Sequence, residues 1–241
     1  MLYVVGFGAG DRESMTIGAE SALKKSDLIV GYRVYTDLMK KLFPEKEFFS
    51  TGMRGERERV EYALKQAADG RTVALVCSGD SEVYGMAGLT YELSPRYPSV
   101  EIAVVAGVTS ALSGGAILGA PLTGDFAVIS LSDLLTPSEK IELRLRHAAR
   151  ADLAIVLYNP ASKGRPDHLK KACEILLEYK PPETICGYVK NIGRAGERHA
   201  ILTLSELKDV DADMFTTVFV GSSETKVVGD KMVAPRGYKN V

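Results

Sequence analysis

Cysteine and histidine are scarce in this 241-residue chain, and neither sign of charge prevails. The three cysteines are Cys77, Cys173 and Cys186. An odd, widely spaced set is not a disulfide framework, and it contains no CxxC pair for zinc. The histidines, His147, His168 and His199, are scattered, and the first two read as helix-surface residues. No metal or catalytic role is assigned to them, and no protein-bound metal is expected. Lys plus Arg (30) and Asp plus Glu (31) nearly cancel to a net charge of -1. That lacks the basic excess of a nucleic-acid binder. No run approaches ~18 uninterrupted apolar residues, so no membrane span is expected. The strand-like run at residues 2–5 begins without a basic segment or cleavage site ahead of it, the pattern expected of a cytoplasmic protein without a targeting peptide.

Hydrophobic residues make up 46% and charged residues 25%, close to the globular average, which excludes wholesale disorder. At ~100–200 residues per domain the length fits one large domain or two small ones. Short β-branched runs alternate with amphipathic stretches. Strands are predicted at residues 2–5, 28–30, 72–77 and 101–105. Helices are predicted at 14–25, with Ser14 as N-cap, and at 54–68, where Val60, Leu64 and Ala67 share one side and Gly70 is the stop. Continuous Val/Ile/Leu runs separated by helices predict a parallel sheet covered on both faces. Around Gly119, Ala120, Pro121, Leu122, Thr123 and Gly124 the pattern breaks, placing a boundary between domains 1–120 and 121–241. A second α/β series follows. Its predicted strands are 126–131, 153–158, 185–189, 200–204 and 216–220, with helices at 138–150 and 166–179, the latter opened by Pro166. No internal repeat is convincing.

Three small, polar, glycine-bearing loops follow strands of the first half. Gly6-Phe7-Gly8-Ala9-Gly10-Asp11 allows close backbone approach, and the helix after it favours anionic groups. It reads G-x-G-x-G-D rather than the dinucleotide pattern G-x-G-x-x-G. The acidic residue about 20 positions on, Asp27, precedes the second strand instead of ending it, which disfavours a nicotinamide-dependent oxidoreductase. The second loop is Cys77-Ser78-Gly79-Asp80-Ser81-Glu82-Val83-Tyr84-Gly85, at the carboxyl end of a buried strand, where open α/β sheets bind ligands. The third is Val105-Ala106-Gly107-Val108-Thr109-Ser110-Ala111. Singly, the first loop reads equally well as a tight turn without a ligand, and Thr109 and Ser110 of the third read better as structural helix caps. Three such loops at three strand ends of one half point to a pocket.

In order and spacing these loops resemble those of the tetrapyrrole (corrin/porphyrin) methyltransferases, which run G-x-G-P-G-D-P, S/G-G-D-P and V-P-G-V/I-S/T-S/A. Within the family the chain looks most like the branch that methylates C17 of the macrocycle and contracts its ring. That likeness is carried by Ser50-Thr51-Gly52-Met53-Arg54, Val83-Tyr84-Gly85-Met86-Ala87-Gly88, Ile129-Ser130-Leu131-Ser132-Asp133-Leu134-Leu135-Thr136-Pro137, Leu157-Tyr158-Asn159-Pro160, Gly193-Arg194 with Gly196-Glu197-Arg198, Asp213-Met214-Phe215-Thr216-Thr217 and Pro235-Arg236-Gly237-Tyr238. It covers essentially the whole chain.

The resemblance implies two consecutive α/β domains with an active-site cleft between them, S-adenosylmethionine as methyl donor, and a homodimer. The implied substrate is an anionic tetrapyrrole of cobalamin biosynthesis, precorrin-3B or cobalt-factor III, with or without cobalt. A different methylation step on the corrin ring is the alternative. The implied cofactor contacts are Ala9, Gly79, Asp80, Val83, Thr109, Ser110 and Ala111, with Asn159, Val189 and Thr217 from the second half. A macrocycle bearing several carboxylates calls for arginine forks. Arg54, Lys163, Arg165, Arg194 and Arg198 lie on loops, and Arg54, Arg194 and Arg198 are the preferred substrate contacts. Ala9, Arg12, Ser81 and Ala106 stand where the family commonly has proline, a loss of rigidity that removes no polar contact. Gly31-Tyr32-Arg33-Val34 replaces the Y-D-R-L segment of uroporphyrinogen-methylating relatives, so no carboxylate base carries over. Tyr32 reads as a proton-handling group with altered chemistry or as a wall of the cleft, and the catalytic acid and base are unassigned.

Overall fold

Alternation along each strand builds the first half of the molecule. The computed structural model describes residues 1–162 and 164–238. The chain divides into two compact units, Met1–Ser110 and Ala111–Val241. The first runs β1 (Leu2–Gly6), α1 (Ile17–Lys25), β2 (Leu28–Tyr32), α2 (Arg33–Leu42), β3 (Glu47–Thr51), α3 (Glu56–Ala68), β4 (Val73–Cys77), α4 (Ala87–Leu93) and β5 (Ile102–Val105). Its sheet, in the order β3-β2-β4-β1-β5, is parallel throughout. Successive strand residues point to opposite faces. Leu2, Val4, Leu28, Val30, Val73 and Leu75 therefore pack with Val60, Ala63 and Leu64 of α3, while Val5, Ile29, Ala74 and Val76 pack with Ala19 and Leu23 of α1 and Met39 of α2. Each fully buried valine, leucine, isoleucine or methionine among them contributes about 1.5–3 kcal/mol.

The second unit contains α5 (Ser110–Leu118, opening on the last residue of the first unit), β6 (Gly119–Ala120), β7 (Phe126–Ser130), α6 (Ser138–Arg150), β8 (Ala154–Tyr158), α7 (His168–Leu176), β9 (Ile185–Lys190), β10 (Arg198–Thr203), α8 (Leu204–Leu207), β11 (Thr216–Val220), β12 (Lys226–Val228) and β13 (Lys231–Val233). Its main sheet, in the order β10-β9-β11-β8-β7, is mixed. Only β7 and β8 pair in parallel, while β8–β11, β11–β9 and β9–β10 are antiparallel. The second α/β series thus does not repeat the all-parallel sheet of the first unit. Seven residues join β9 to β10, too few for the crossover a parallel pair needs. Gly114 and Gly115 let α5 approach the Phe219 ring, and a Cβ on Gly114 would lie 3.0 Å from Phe219 Cζ. A small sheet, β12-β13-β6, completes the unit.

Several element ends differ from expectation for visible reasons. The N-cap of α1 is Thr16, whose Oγ1 accepts from Ala19 N at 3.1 Å. Ser14 lies ahead of the helix, its Oγ accepting from Ala9 N. Helix α7 begins at His168 rather than at Pro166; ahead of it Ser162 and Arg165 exchange backbone hydrogen bonds. The stop after α3 is as expected: Gly70 adopts φ 93, the left-handed conformation that glycine enters freely.

Candidate functional site

Strand order brings the three glycine loops together. Because β1 lies between β4 and β5, the loops after these strands are neighbours at the carboxyl edge of the sheet. Gly8 and Gly79 exchange backbone hydrogen bonds, Gly8 N to Gly79 O at 3.0 Å and Gly79 N to Gly8 O at 2.8 Å. Gly6, Gly79 and Gly107 touch backbone to backbone. A Cβ on Gly107 would sit 2.1 Å from Gly79 O, and one on Gly6 would sit 2.7 Å from Gly107 N. Gly79 differs. It adopts φ 70, and a Cβ there would meet nothing nearer than Ser110 N at 3.6 Å. A glycine without clash at Cβ, between neighbours sealed by backbone, is the geometry of a cradle that a ligand can approach along the main chain.

Asp80 ties the cradle. Its Oδ1 accepts from Glu82 N at 2.8 Å and Val83 N at 3.0 Å, and its Oδ2 from Gly107 N at 2.9 Å. Burial pushes this carboxyl up, but the N–H groups of Gly107, Val83, Glu82 and Ser81 outweigh it and hold the group below the usual aspartate range. Most of the carboxylate's lone-pair positions are thus used inside the loops. Ser81 Oγ donates to Val105 O at 3.1 Å and Thr16 Oγ1 to Ala106 O at 3.1 Å, further joining the loops. Ala9, Thr109 and Ser110 are partly exposed, and Val83 and Tyr84 project with 37% and 53% exposure. Cys77, beneath the second loop, is buried, which pushes its thiol up to about 11.

In the second unit, the register of the sheet sets Thr217 opposite Val189, and Asn159 follows β8 at the same end of the sheet. Asn159 adopts φ 54, and its Nδ2 donates to Ser130 Oγ at 2.9 Å. Val189 and Ala111 are fully buried, and Ala111 N donates to the hydroxyl of Tyr158 at 2.8 Å. Ser130 and Tyr158 stand in the sequence only as members of the motifs at 129–137 and 157–160, without an assigned contact; each is the last residue of a strand.

The basic candidates separate by environment. Arg54 is exposed, with φ 66, between β3 and α3. Arg194 belongs to the β9–β10 connection, a self-bonded turn in which Gly193 N donates to Glu197 Oε2 at 2.7 Å, whereas Arg198, expected on a loop, opens β10 and pairs with Lys190. The guanidinium of Arg194 lies 5.5 Å over the Phe215 ring, and Arg198 is exposed. Arg165 is engaged, donating to Asp133 Oδ1 at 2.9 Å and to Ser132 Oγ at 3.1 Å. Lys163 lies outside the described residues. Tyr32, half-buried, ends β2, its ring edge-on to Tyr35 at 5.2 Å. Among the described residues no group of three or more His, Cys, Asp and Glu side chains could hold a metal ion, and no helix is long and apolar enough to cross a membrane.

Known proteins resemble this chain over most of its length. The family model described as "Tetrapyrrole (Corrin/Porphyrin) Methylases" matches residues 1–208. A Methanocaldococcus jannaschii protein described as "Probable cobalt-factor III C(17)-methyltransferase" is 46% identical, over 99% of this chain and 98% of its own. The "Precorrin-3B C(17)-methyltransferase" of a Sinorhizobium species is 39% identical, over 98% of this chain and 96% of its own. Among solved structures, the methyltransferase CobJ superposes with a TM-score of 0.91 at 36% identity, covering 97% of this chain and 99% of that one. A uroporphyrin-III C-methyltransferase from Thermus thermophilus, complexed with S-adenosylhomocysteine, gives 0.70 at 25% identity, covering 91% and 96%.

Proposed function

Since the chain belongs to the tetrapyrrole (corrin/porphyrin) methylases, we propose that it transfers the methyl group of S-adenosylmethionine to C17 of cobalt-factor III, with contraction of the macrocycle, in cobalamin biosynthesis. The observation that carries the choice of substrate is the 46% identity, over nearly the full length of both chains, to the protein described as acting on cobalt-factor III; the precorrin-3B enzyme stands at 39%. The donor is a sulfonium whose leaving group needs no activation, so it supplies the methyl group and the protein supplies alignment and exclusion of water.

The glycine cradle fits such a donor. Its backbone admits a ligand at Gly79 without a side chain in the way, and Asp80 cross-ties its loops. We assign donor binding to Ala9, Gly79, Asp80, Val83, Thr109, Ser110 and Ala111, with Asn159, Val189 and Thr217 from the second unit. Arg54, Arg194 and Arg198 bind the peripheral carboxylates of the acceptor, and the protein works as a homodimer in the cytoplasm. Product mass after incubation with S-adenosylmethionine, for cobalt-factor III and precorrin-3B in parallel, tests the assignment. Addition of one methyl group to cobalt-factor III in strong preference is expected. A preference for precorrin-3B would move the enzyme to the metal-free route, and methylation of neither would remove the C17 reading.

A further inference from the structure

Among the described residues, one buried side-chain polar atom has no hydrogen-bond partner: Nε of Arg59. Arg59 is 4% exposed, beside Val60 on the packed side of α3. Its Nη1 donates to Thr51 Oγ1 at 2.6 Å and to the carbonyl of Gly52 at 2.9 Å. Its Nη2 lies 3.3 Å from Oε1 of half-exposed Glu56. The guanidinium carbon sits 6.0 Å from the centre of the Tyr32 ring. Tyr32 meets Tyr35 edge-on at 5.2 Å, and Tyr35 meets Phe7 edge-on at 5.8 Å, inside the first glycine loop.

Core packing does not explain this arrangement. A buried guanidinium with an unmet donor is less stable than an apolar chain of the same length would be. What Arg59 does accomplish is local. It grips the 51–56 turn at Thr51, Gly52 and Glu56, and between these points Arg54 is held at φ 66, a region arginine seldom enters. We propose that Arg59 is a positioning residue for the anionic acceptor: it clamps this turn against Tyr32 and so presents exposed Arg54 to a substrate carboxylate in one fixed conformation. The inference rests on the reading of Arg54 as a substrate contact. Lysine cannot take over the task, because a single ammonium lacks the planar fork that spans Thr51, Gly52 and Glu56 together.

The test compares Arg59→Lys, Arg54→Ala and the double variant with the parent. The Michaelis constant for cobalt-factor III, kcat, S-adenosylhomocysteine affinity by calorimetry and Tm are measured on each. For Arg59→Lys a rise in KM of about tenfold is expected, with kcat and S-adenosylhomocysteine affinity within twofold of the parent. The double variant should be no worse than Arg54→Ala, because both changes remove one contact. A KM at the parent's value in folded Arg59→Lys, beside an impaired Arg54→Ala, overturns the clamp alone. A silent Arg54→Ala instead sinks the reading of Arg54 on which the clamp rests. Additive losses in the double variant also overturn the proposal, as does an equal loss of S-adenosylhomocysteine affinity. Should Arg59→Lys fail to fold, Thr51→Val removes one acceptor of the grip in nearly unchanged shape. It should raise KM in the same direction by a smaller factor, and an unchanged KM there counts against the clamp.

Discussion

Asp80 accepts a hydrogen bond from Gly107 N at 2.9 Å, and this contact across 27 residues of sequence joins the second glycine loop to the third. The same carboxylate holds Glu82 N and Val83 N, so one side chain organises two of the three loops of the cradle.

Removing that charge has an expected pH signature. Asp80→Asn presents an amide N–H to donors that the carboxylate accepted, and it should lower unfolding stability at pH 7 by about 1–3 kcal/mol. The folded pKa of Asp80 lies below its unfolded value. Its stabilisation is therefore complete above the ordinary aspartate pKa of about 3.9 and is lost as pH falls through the folded value. The gap between parent and variant in denaturant titrations should begin to narrow as pH falls below about 4. An equal gap at pH 3 and pH 7 would show that the carboxylate charge is not the cause.

Ligand selectivity is read most simply by thermal shift. S-adenosylhomocysteine at about 100 times its Kd should stabilise the fold by about 2.7 kcal/mol through mass action, and NAD should leave Tm unchanged. The reverse pattern would return the glycine loops to dinucleotide binding.

Two glycine substitutions should differ in an order that side-chain size does not suggest. Gly107→Ala places a Cβ 2.1 Å from Gly79 O and 2.4 Å from Gly6 O, so backbone must move and stability should fall sharply. Gly79→Leu meets no backbone clash at Cβ, only the strain of φ 70, about 1–2 kcal/mol. It should stay folded yet lose S-adenosylhomocysteine binding. A folded Gly79→Leu with parental affinity would put the donor elsewhere.

If Arg194 and Arg198 hold acceptor carboxylates, either alanine variant should lose about 1.5–3 kcal/mol of transition-state binding, a ten- to hundred-fold drop in kcat/KM for the tetrapyrrole. S-adenosylhomocysteine affinity should hardly move. Added salt should weaken the parent more than the variants. Parallel turnover and calorimetry decide it, and unchanged turnover in both returns these residues to solvated charges.

All three cysteines are buried. Burial raises the Cys77 thiol to about 11 and the Cys173 thiol to about 12. At pH 8 only roughly one Cys77 in a thousand is thiolate, the reactive form. A thiol-reactive dye should label the native protein very slowly and the unfolded protein at three sites, and fast native labelling would contradict the burial.

The cradle was legible because glycine and small polar residues at strand ends are local signals. Gly6, Gly8, Gly79 and Gly107 carry their meaning in their immediate neighbours. Arg59 was not legible, because its burial depends on Thr51 and Tyr32, which reach it only through the fold. The antiparallel half of the second sheet was hidden for a related reason. A buried strand such as β8 reads as a continuous apolar run whichever way its partners point. Helix α2 and strand β3 escaped notice because the first has no side-chain cap and the second buries only Thr51 completely. By contrast α6 was expected at 138–150 and lies there, bounded by Pro137 and by a clear apolar stripe.

The central place of β1 in the first sheet bears on how the chain is made. Leu2 pairs with Val73 on one side and Ile102 on the other. At about 5–20 residues per second, synthesis must continue for several seconds before β1 has either neighbour. The β9–β10 hairpin, closed across seven residues, can form as soon as it clears the ribosome. During translation the apolar β1 is thus a segment for a chaperone to shield, while the hairpin carrying Arg194 and Arg198 requires no such waiting.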